Sequence, residues 1–343
     1  MWRNIQYLLS LLLPLMTLIG IAGGGWWGFL PWGVVFGLLA GIEIFLPEYT
    51  DNRYEEDGRL PAFILVAHFL AHMGLIGYWL WAFTQDKYEL WEALASAFSM
   101  GFNAGASGIV IAHEMLHRKG RFWQIGAKLL LGAAGNIYFY TTHVRMHHRY
   151  VGTELDYSSA RKGESFYKFL WRTIGGQLRW AWRAEKERLA QLGYPPFTLH
   201  NYVLQEILIL TSLLSAFIIA GGLAGMLAFL LQAVLANLLL EYVNYIEHYG
   251  LARKLDEPIR PWHSWESNKY ITRFFLVDLS RHSDHHLYGA KPYHTLNALE
   301  KAPRLPMGYA GMLYLALIPP LWYKVMDPRL PEALREKTKE ATP

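Results

Sequence analysis

The chain has 343 residues, of which 53% are apolar and 15% aromatic, and a formal net charge of only +4. That is too apolar for an ordinary soluble domain of this size, so a polytopic membrane protein is the default and a nucleic-acid partner is excluded. With no cysteine, the chain has no disulfide, no thiolate zinc site and no cysteine-ligated iron centre of its own.

A hydrocarbon core of about 30 Å needs about 20 apolar residues per crossing helix. Six runs meet that length, at about 5–22, 27–46, 61–83, 90–112, 203–222 and 224–246. The first follows Met-Trp-Arg-Asn and could be mistaken for a signal peptide. It pairs naturally with the second run, and we read the two as a helical hairpin. The connections at 23–26, 84–89 and 222–223 carry one basic residue, Lys87, whereas 118–200 holds fourteen Lys and Arg. By the positive-inside rule the N-terminus, the loop 47–60, the segment 113–202 and everything from 248 onward lie in the cytosol. The expected fold is therefore all-α: one domain, 1–343, with six transmembrane helices and a cytosolic histidine-rich helical cap made of 113–202 and 248–343. Within the cap, 166–192 mixes Trp, Phe and Leu with Lys and Arg, and suits an amphipathic helix on the inner leaflet. The weaker apolar stretch 309–323 is broken by Pro319-Pro320 and reads as interfacial.

Nine of the 14 histidines fall in four short words. These are His113 and His117 in "HEMLH", His143, His147 and His148 in "HVRMHH", His248 in "NYIEHYG", and His282, His285 and His286 in "RHSDHH". Spacings of i+3 and i+4 let each word present imidazoles on one helical face. The ends of the fourth and sixth runs bring His113 and His248 to the same side of the bilayer, where the two cap words can meet them. Nine imidazoles exceed the needs of one tetrahedral zinc, so two metal ions with four or five nitrogens each is the simplest count. All-imidazole ligation does not by itself choose among zinc, copper, iron and nickel.

H-E-x-x-H is also the spacing of a membrane zinc protease, with Glu114 as general base. That reading leaves seven clustered histidines without a role. Glu114 is better placed as a carboxylate that orients an imidazole, and Asp156, Glu247 and Asp284 adjoin ligand positions in the same way. His68 and His72 lie inside the third run and are expected to hydrogen-bond across helices. His200, His263 and His294 are isolated. A transporter would want ionisable residues along its spans, whereas these nine lie at one level. A non-enzymatic metal-handling membrane protein is a further reading.

In this order, "HEMLHRK", "HVRMHH", "NYIEHYGL" and "RHSDHH" resemble the integral-membrane alkane 1-monooxygenases, within the histidine-rich membrane di-iron hydroxylases and desaturases. The words "SSARKGESFYKF" at 158–169, "HSWESN" at 263–268 and "MDP" at 326–328 extend the likeness over most of the chain, and His248 in its word is its most specific signal. Thr142, Met146 and Ser280 depart from the family's usual residues beside the second and fourth histidine words, which bears on imidazole tuning and substrate range. The resemblance implies two non-haem iron ions and insertion of one oxygen atom from O2 into the terminal methyl of an n-alkane. It implies electrons from a rubredoxin-type donor served by an NADH-dependent reductase, and a bacterial inner membrane as the setting. A fatty-acid desaturase, or a hydroxylase of another lipid or aromatic substrate, is the alternative on the same scaffold. The chain has no dinucleotide fingerprint, so the donor must be separate. Arg161, Lys162, Arg179, Arg183, Lys186 and Arg188 are candidates for its docking face.

Overall fold

The computed structural model describes residues 2–331, so the last part of the expected cap, 332–343, lies outside the described residues. Those residues form helices and loops, with isolated β-bridges at Glu48–Lys269 and Glu266–Arg304. Five helical segments are long and apolar enough to cross a bilayer. They are α1 (Arg3–Gly23), α2 (Gly25–Phe45), α3 (Arg59–Thr84), α4 (Leu90–Leu116) and, after α5 (Arg121–Ala133) and α6 (Phe166–Gln191), α7 (Tyr202–His248). Local signals fix several starts. Glu89 and Glu92 form a capping box at α4, Ser165 accepts from the Lys168 amide at α6, and Asn201 accepts from the amides of Val203 and Leu204 at α7.

The count of five differs from the six runs because α7 is one segment of 47 residues. A straight helix of that length would span about 70 Å, more than twice a bilayer core. It is not straight. Gly222 has φ +54° and ψ −133°, a conformation open to glycine, and the chain reverses there. The rings of Phe217 and Phe229 stack at 5.2 Å, and a Cβ on Gly225 would lie 2.2 Å from the Phe217 carbonyl oxygen. α5 and the turn after it touch both arms: a Cβ on Gly132 would meet Ile209 at 2.6 Å, and one on Gly135 would meet Ala233 at 2.5 Å.

Small residues let the helices close. Cβ atoms at Gly101 and Gly105 of α4 would lie 2.7 and 2.9 Å from Leu235 and Leu239 on the second arm of α7, so glycine is what permits that crossing. α6 buries Phe166, Phe169, Thr173, Gln177, Ala181, Glu185 and Leu189 at helical spacing. That face packs on protein, with Gln177 and Thr173 donating to the Glu241 carboxylate and Arg145 paired with Glu185 at 3.1 Å. The expectation of a helix lying on the leaflet is corrected to that extent: only the opposite face, with Trp171, Arg179 and Arg183, is exposed.

The last histidine word is fixed by a buried charge knot. Val277 and Asp278 both have positive φ (45° and 55°), strained for a β-branched residue. Asp278 is fully buried and accepts from Arg273 at 2.7 and 2.9 Å, from Arg3 at 2.9 Å and from the Tyr7 hydroxyl. Arg281 donates to the Asp51 carbonyl at 2.9 Å, which ties the loop after α2 to the same corner.

Candidate metal centre

Three interruptions of α-helical winding face the site. Residues Gly33–Leu39 of α2, Ala104–Ile109 of α4 and His143–His147 are π-helical turns, each one residue wider than an α turn. Such turns concentrate at functional positions because they re-aim side chains within a helix.

The structure brings all nine histidines together, in two adjoining groups. His113, His117, His143, His148 and His285 form one, and His147, His248, His282 and His286 the other; the ligand-capable atoms in each lie within 4.8 Å of one another. The division cuts across the words. In the second, the π turn puts His143 and His148 on one group and His147 on the other. In the fourth, His285 joins the first group while His282 and His286 join the second. The expectation that each word shows its imidazoles on one face therefore holds for His113 and His117 and is corrected for the other two.

The Nε2 atoms converge. His113 and His285 approach to 3.0 Å, His117 and His143 to 3.1 Å, and His143 and His148 to 3.0 Å. In the second group His282 lies 3.1 Å from His248 and 2.9 Å from His286. Two nitrogens each about 2.1 Å from one divalent ion and at a right angle to it lie about 3 Å apart, so both groups fit a metal. Their rings adjoin, with His148 and His286 centroids 4.7 Å apart. Burial holds His143, His148, His282, His285 and His286 well below the ordinary imidazole value, and His117 at about 4. All six are therefore neutral at pH 7, the form that ligates.

The carboxylates divide. Asp156 is buried and lies 2.9 Å from Nδ1 of His147, with the Ser159 hydroxyl donating to it at 2.7 Å and the Ser158 amide at 2.9 Å. Burial raises its carboxyl, but the contacts with His147, His248 and the Ser159 hydroxyl together outweigh that and leave it below the ordinary carboxylate value. Glu247 lies 3.2 Å from Nε2 of His282. Glu114 does not orient an imidazole: Arg118, just past the end of its helix, pairs with it at 3.0 Å, and the Tyr293 amide donates to it at 3.5 Å. Asp284 is likewise turned to the loop beyond it, accepting from Lys291 and from the Asn297 amide at 2.8 Å.

An apolar cavity ends on these groups. Val35, Phe36, Phe102, Ile109 and Leu240 line its sides, and His113, His143, His282 and Glu247 its floor. Two of the π turns form its walls. Its lining is that of a site for an apolar small molecule.

The other histidines stand apart. His68 sits within 2.7 Å of both the Ser10 and Ser107 hydroxyls, and His72 within 2.8 Å of the Asn103 amide, as expected of histidines bridging helices. His200 stacks on Tyr194, His263 lies 3.5 Å from Glu257, and His294 packs beside Tyr293. Of the candidate docking cations, Arg161, Lys162, Arg179, Arg183 and Lys186 are exposed, but Arg188 is pinned between Glu185 at 2.6 Å and the Tyr202 ring at 4.1 Å. They do not share one depression: Arg161 and Lys162 flank a cleft with Arg253 and Lys254, and Arg183 lines another with Arg145 and Arg149. Sequence reasoning missed Glu43, whose buried carboxylate accepts from the Thr272 amide at 2.6 Å and hydroxyl at 2.8 Å, and Glu241, which binds Tyr138 at 2.8 Å. An acidic residue inside an apolar run was the available signal for both.

Residues 89–316 match the family model described as fatty acid desaturase. The chain is 37% identical over 340 residues to alkane 1-monooxygenase 2 of Pseudomonas aeruginosa, covering 92% of this chain and 90% of that protein. It is 33% identical over 334 residues to alkane 1-monooxygenase 2 of Alcanivorax borkumensis, covering 93% and 87%. Similarity also extends, at 29% over 324 residues, to the hydroxylase component of the xylene/toluene monooxygenase of Pseudomonas putida, covering 92% and 86%. With nine imidazoles, seven of them buried, gathered below an apolar cavity, this chain belongs to the alkane 1-monooxygenases, a membrane branch of the fatty acid desaturase family.

Proposed function

We infer that this protein is a membrane alkane 1-monooxygenase that converts the terminal methyl of an n-alkane to a primary alcohol. The observation that carries this reading is the apolar cavity whose floor is made by imidazoles of both groups. An unactivated C–H bond offers nothing for a side-chain base or nucleophile, so two iron ions, held by His113, His117, His143, His148 and His285 and by His147, His248, His282 and His286, would supply the O2 chemistry. The chain's own contribution is placement. Phe102, Val35 and Ile109 exclude water and keep an extended alkane directed at the floor, Asp156 fixes the His147 ring, and the buried knot at Asp278 holds the strand of backbone that carries three ligands.

The reversal at Gly222 supports six crossings of a bacterial inner membrane with the histidine groups on the cytosolic side, where the basic segments also lie. Incorporation of one oxygen atom with reduction of the other to water takes two electrons and two protons. A separate rubredoxin-type donor, reduced through NADH, would supply the electrons, docking on exposed cations of the cap. The zinc protease reading fails because Glu114, its required base, is committed to Arg118.

The test is to supply membranes containing the protein, a rubredoxin, its reductase and NADH with n-octane, p-xylene and a saturated fatty acyl substrate. 1-Octanol as the preferred product is expected. Preferential oxidation of the xylene methyl, which the xylene/toluene relative brings into view, or of the acyl chain to an alkene, would replace the alkane reading.

A further inference from the structure

Of the nine imidazoles seven are buried and two, His117 and His148, are partly exposed. Both belong to the first group, and their ring centroids lie 4.7 Å apart. One residue rests against the two of them. A Cβ on Gly289 would stand 3.1 Å from Cε1 and Nδ1 of His148 and 3.6 Å from Cε1 of His117, so glycine lets bare backbone lie on both rings. Tyr288 before it is 61% exposed, and Ala290 after it is exposed as well. The ligand groups thus come nearest to solvent at this edge, under a cover one backbone thick.

Charge brackets the same edge. Lys119, two residues past His117, and Arg149, next to His148, are exposed. Arg149 shares a depression with Arg183 of α6, and Arg179 and Lys186 continue the exposed stripe of that helix. These five cations outnumber Glu154 and Glu187, the carboxylates that line the depression. The other cleft, beside Arg161 and Lys162, offers less: there Asp156 covers His147, itself buried, and Arg253 is spent on the carbonyls of Arg149, Val151 and Glu257.

We propose that electrons enter through the His117–His148 edge, and that a small acidic one-electron carrier protein docks over Gly289 with its footprint running toward Arg149 and Arg183. The inference deepens the donor reading above, and rests on it and on the nine histidines as metal ligands. Electron tunnelling weakens steeply with distance, so the least covered ligands decide where a carrier must sit, and the cations steer it there. Each visit oxidises one carrier by one electron and passes that electron to the group of five imidazoles, with no bond or proton exchanged at the docking face. Two visits meet the two electrons consumed per turnover.

The chain has no cysteine, so Ala290→Cys and Arg161→Cys each create a single labelling site. The metal-loaded full chain in detergent, carrying a fluorophore at one position or the other, is titrated with oxidised rubredoxin, whose coloured iron centre quenches a nearby dye without any turnover. Strong, saturable quenching at 290 and weak quenching at 161 is expected. In unlabelled protein, Lys119→Glu and Arg149→Glu should each weaken rubredoxin binding about 3–10-fold at low salt, while Arg161→Glu stays near wild type. Quenching at 161 rather than 290, or binding that survives both Lys119→Glu and Arg149→Glu, would overturn the entry site and leave the rubredoxin reading standing. A wild type that binds no rubredoxin would overturn both.

Discussion

Single side chains differ here in whether they serve the imidazoles or the fold. Asp156 holds His147 directly, so Asp156→Ala should weaken metal binding by about 10–100-fold in a chelator competition. Asp284→Ala should leave that affinity near wild type, because its carboxylate is spent on Lys291 and the Asn297 amide. Asp278 is structural: removing it strands Arg273 and Arg3 in a dry interior, and Asp278→Ala should cost about 3–5 kcal/mol in thermal unfolding. Burial raises the Asp278 carboxyl, but Arg273 and Arg281 outweigh it and leave it depressed. A depressed acid contributes stability above its unfolded value of about 3.9, so this contribution should be constant from pH 5 to 8 and lost only as pH falls below about 4. The nine histidines were legible because short-range spacing and local crowding survive in a linear string. Glu114 and Asp284 sit in equally suggestive places, but which way a carboxylate points is set by Arg118 and Lys291, and that choice is tertiary.

Helices were legible in proportion to their dependence on the bilayer. The apolar runs at 203–222 and 224–246 stand out because hydrocarbon demands length, and the structure folds α7 between them at Gly222. Gly222→Ala puts a Cβ into a conformation it resists and should cost about 1–3 kcal/mol, read as a lower melting temperature in detergent. Gly105→Val should push Leu239 away and narrow the cavity at the α4–α7 crossing, shifting preference toward shorter alkanes in a competition assay. The π turns were not legible. One extra residue in a winding leaves no compositional mark, and with it went the allocation of His143, His147 and His148. The short helices of the cap, such as Tyr270–Phe275 and His282–Leu287, are likewise held by the knot at Asp278 rather than by their own periodicity.

At the scale of the molecule, the sequence sets apolar runs apart from basic segments, the expected cap, and a donor would meet the latter. If an acidic donor meets that cap, the attraction acts on encounter and fades as salt shortens the screening length from about 8 Å at physiological strength to about 3 Å at 1 M. Turnover limited by donor binding should fall with added salt, and Arg183→Glu and Lys186→Glu should raise the apparent donor constant in detergent. An unchanged constant without salt dependence would assign these residues to anionic lipid instead.

The division of two histidine words between the two groups makes the pair of sites a single mechanical unit. Neither can be ordered without fixing backbone that also carries ligands of the other: His147 moves with His143 and His148, and His285 with His282 and His286. A first ion that freezes these segments has already met the entropic cost of arranging the second site. Loading should therefore be cooperative, with a Hill coefficient above one and little singly occupied protein at half saturation. Removing one ligand from either group should depress occupancy at both.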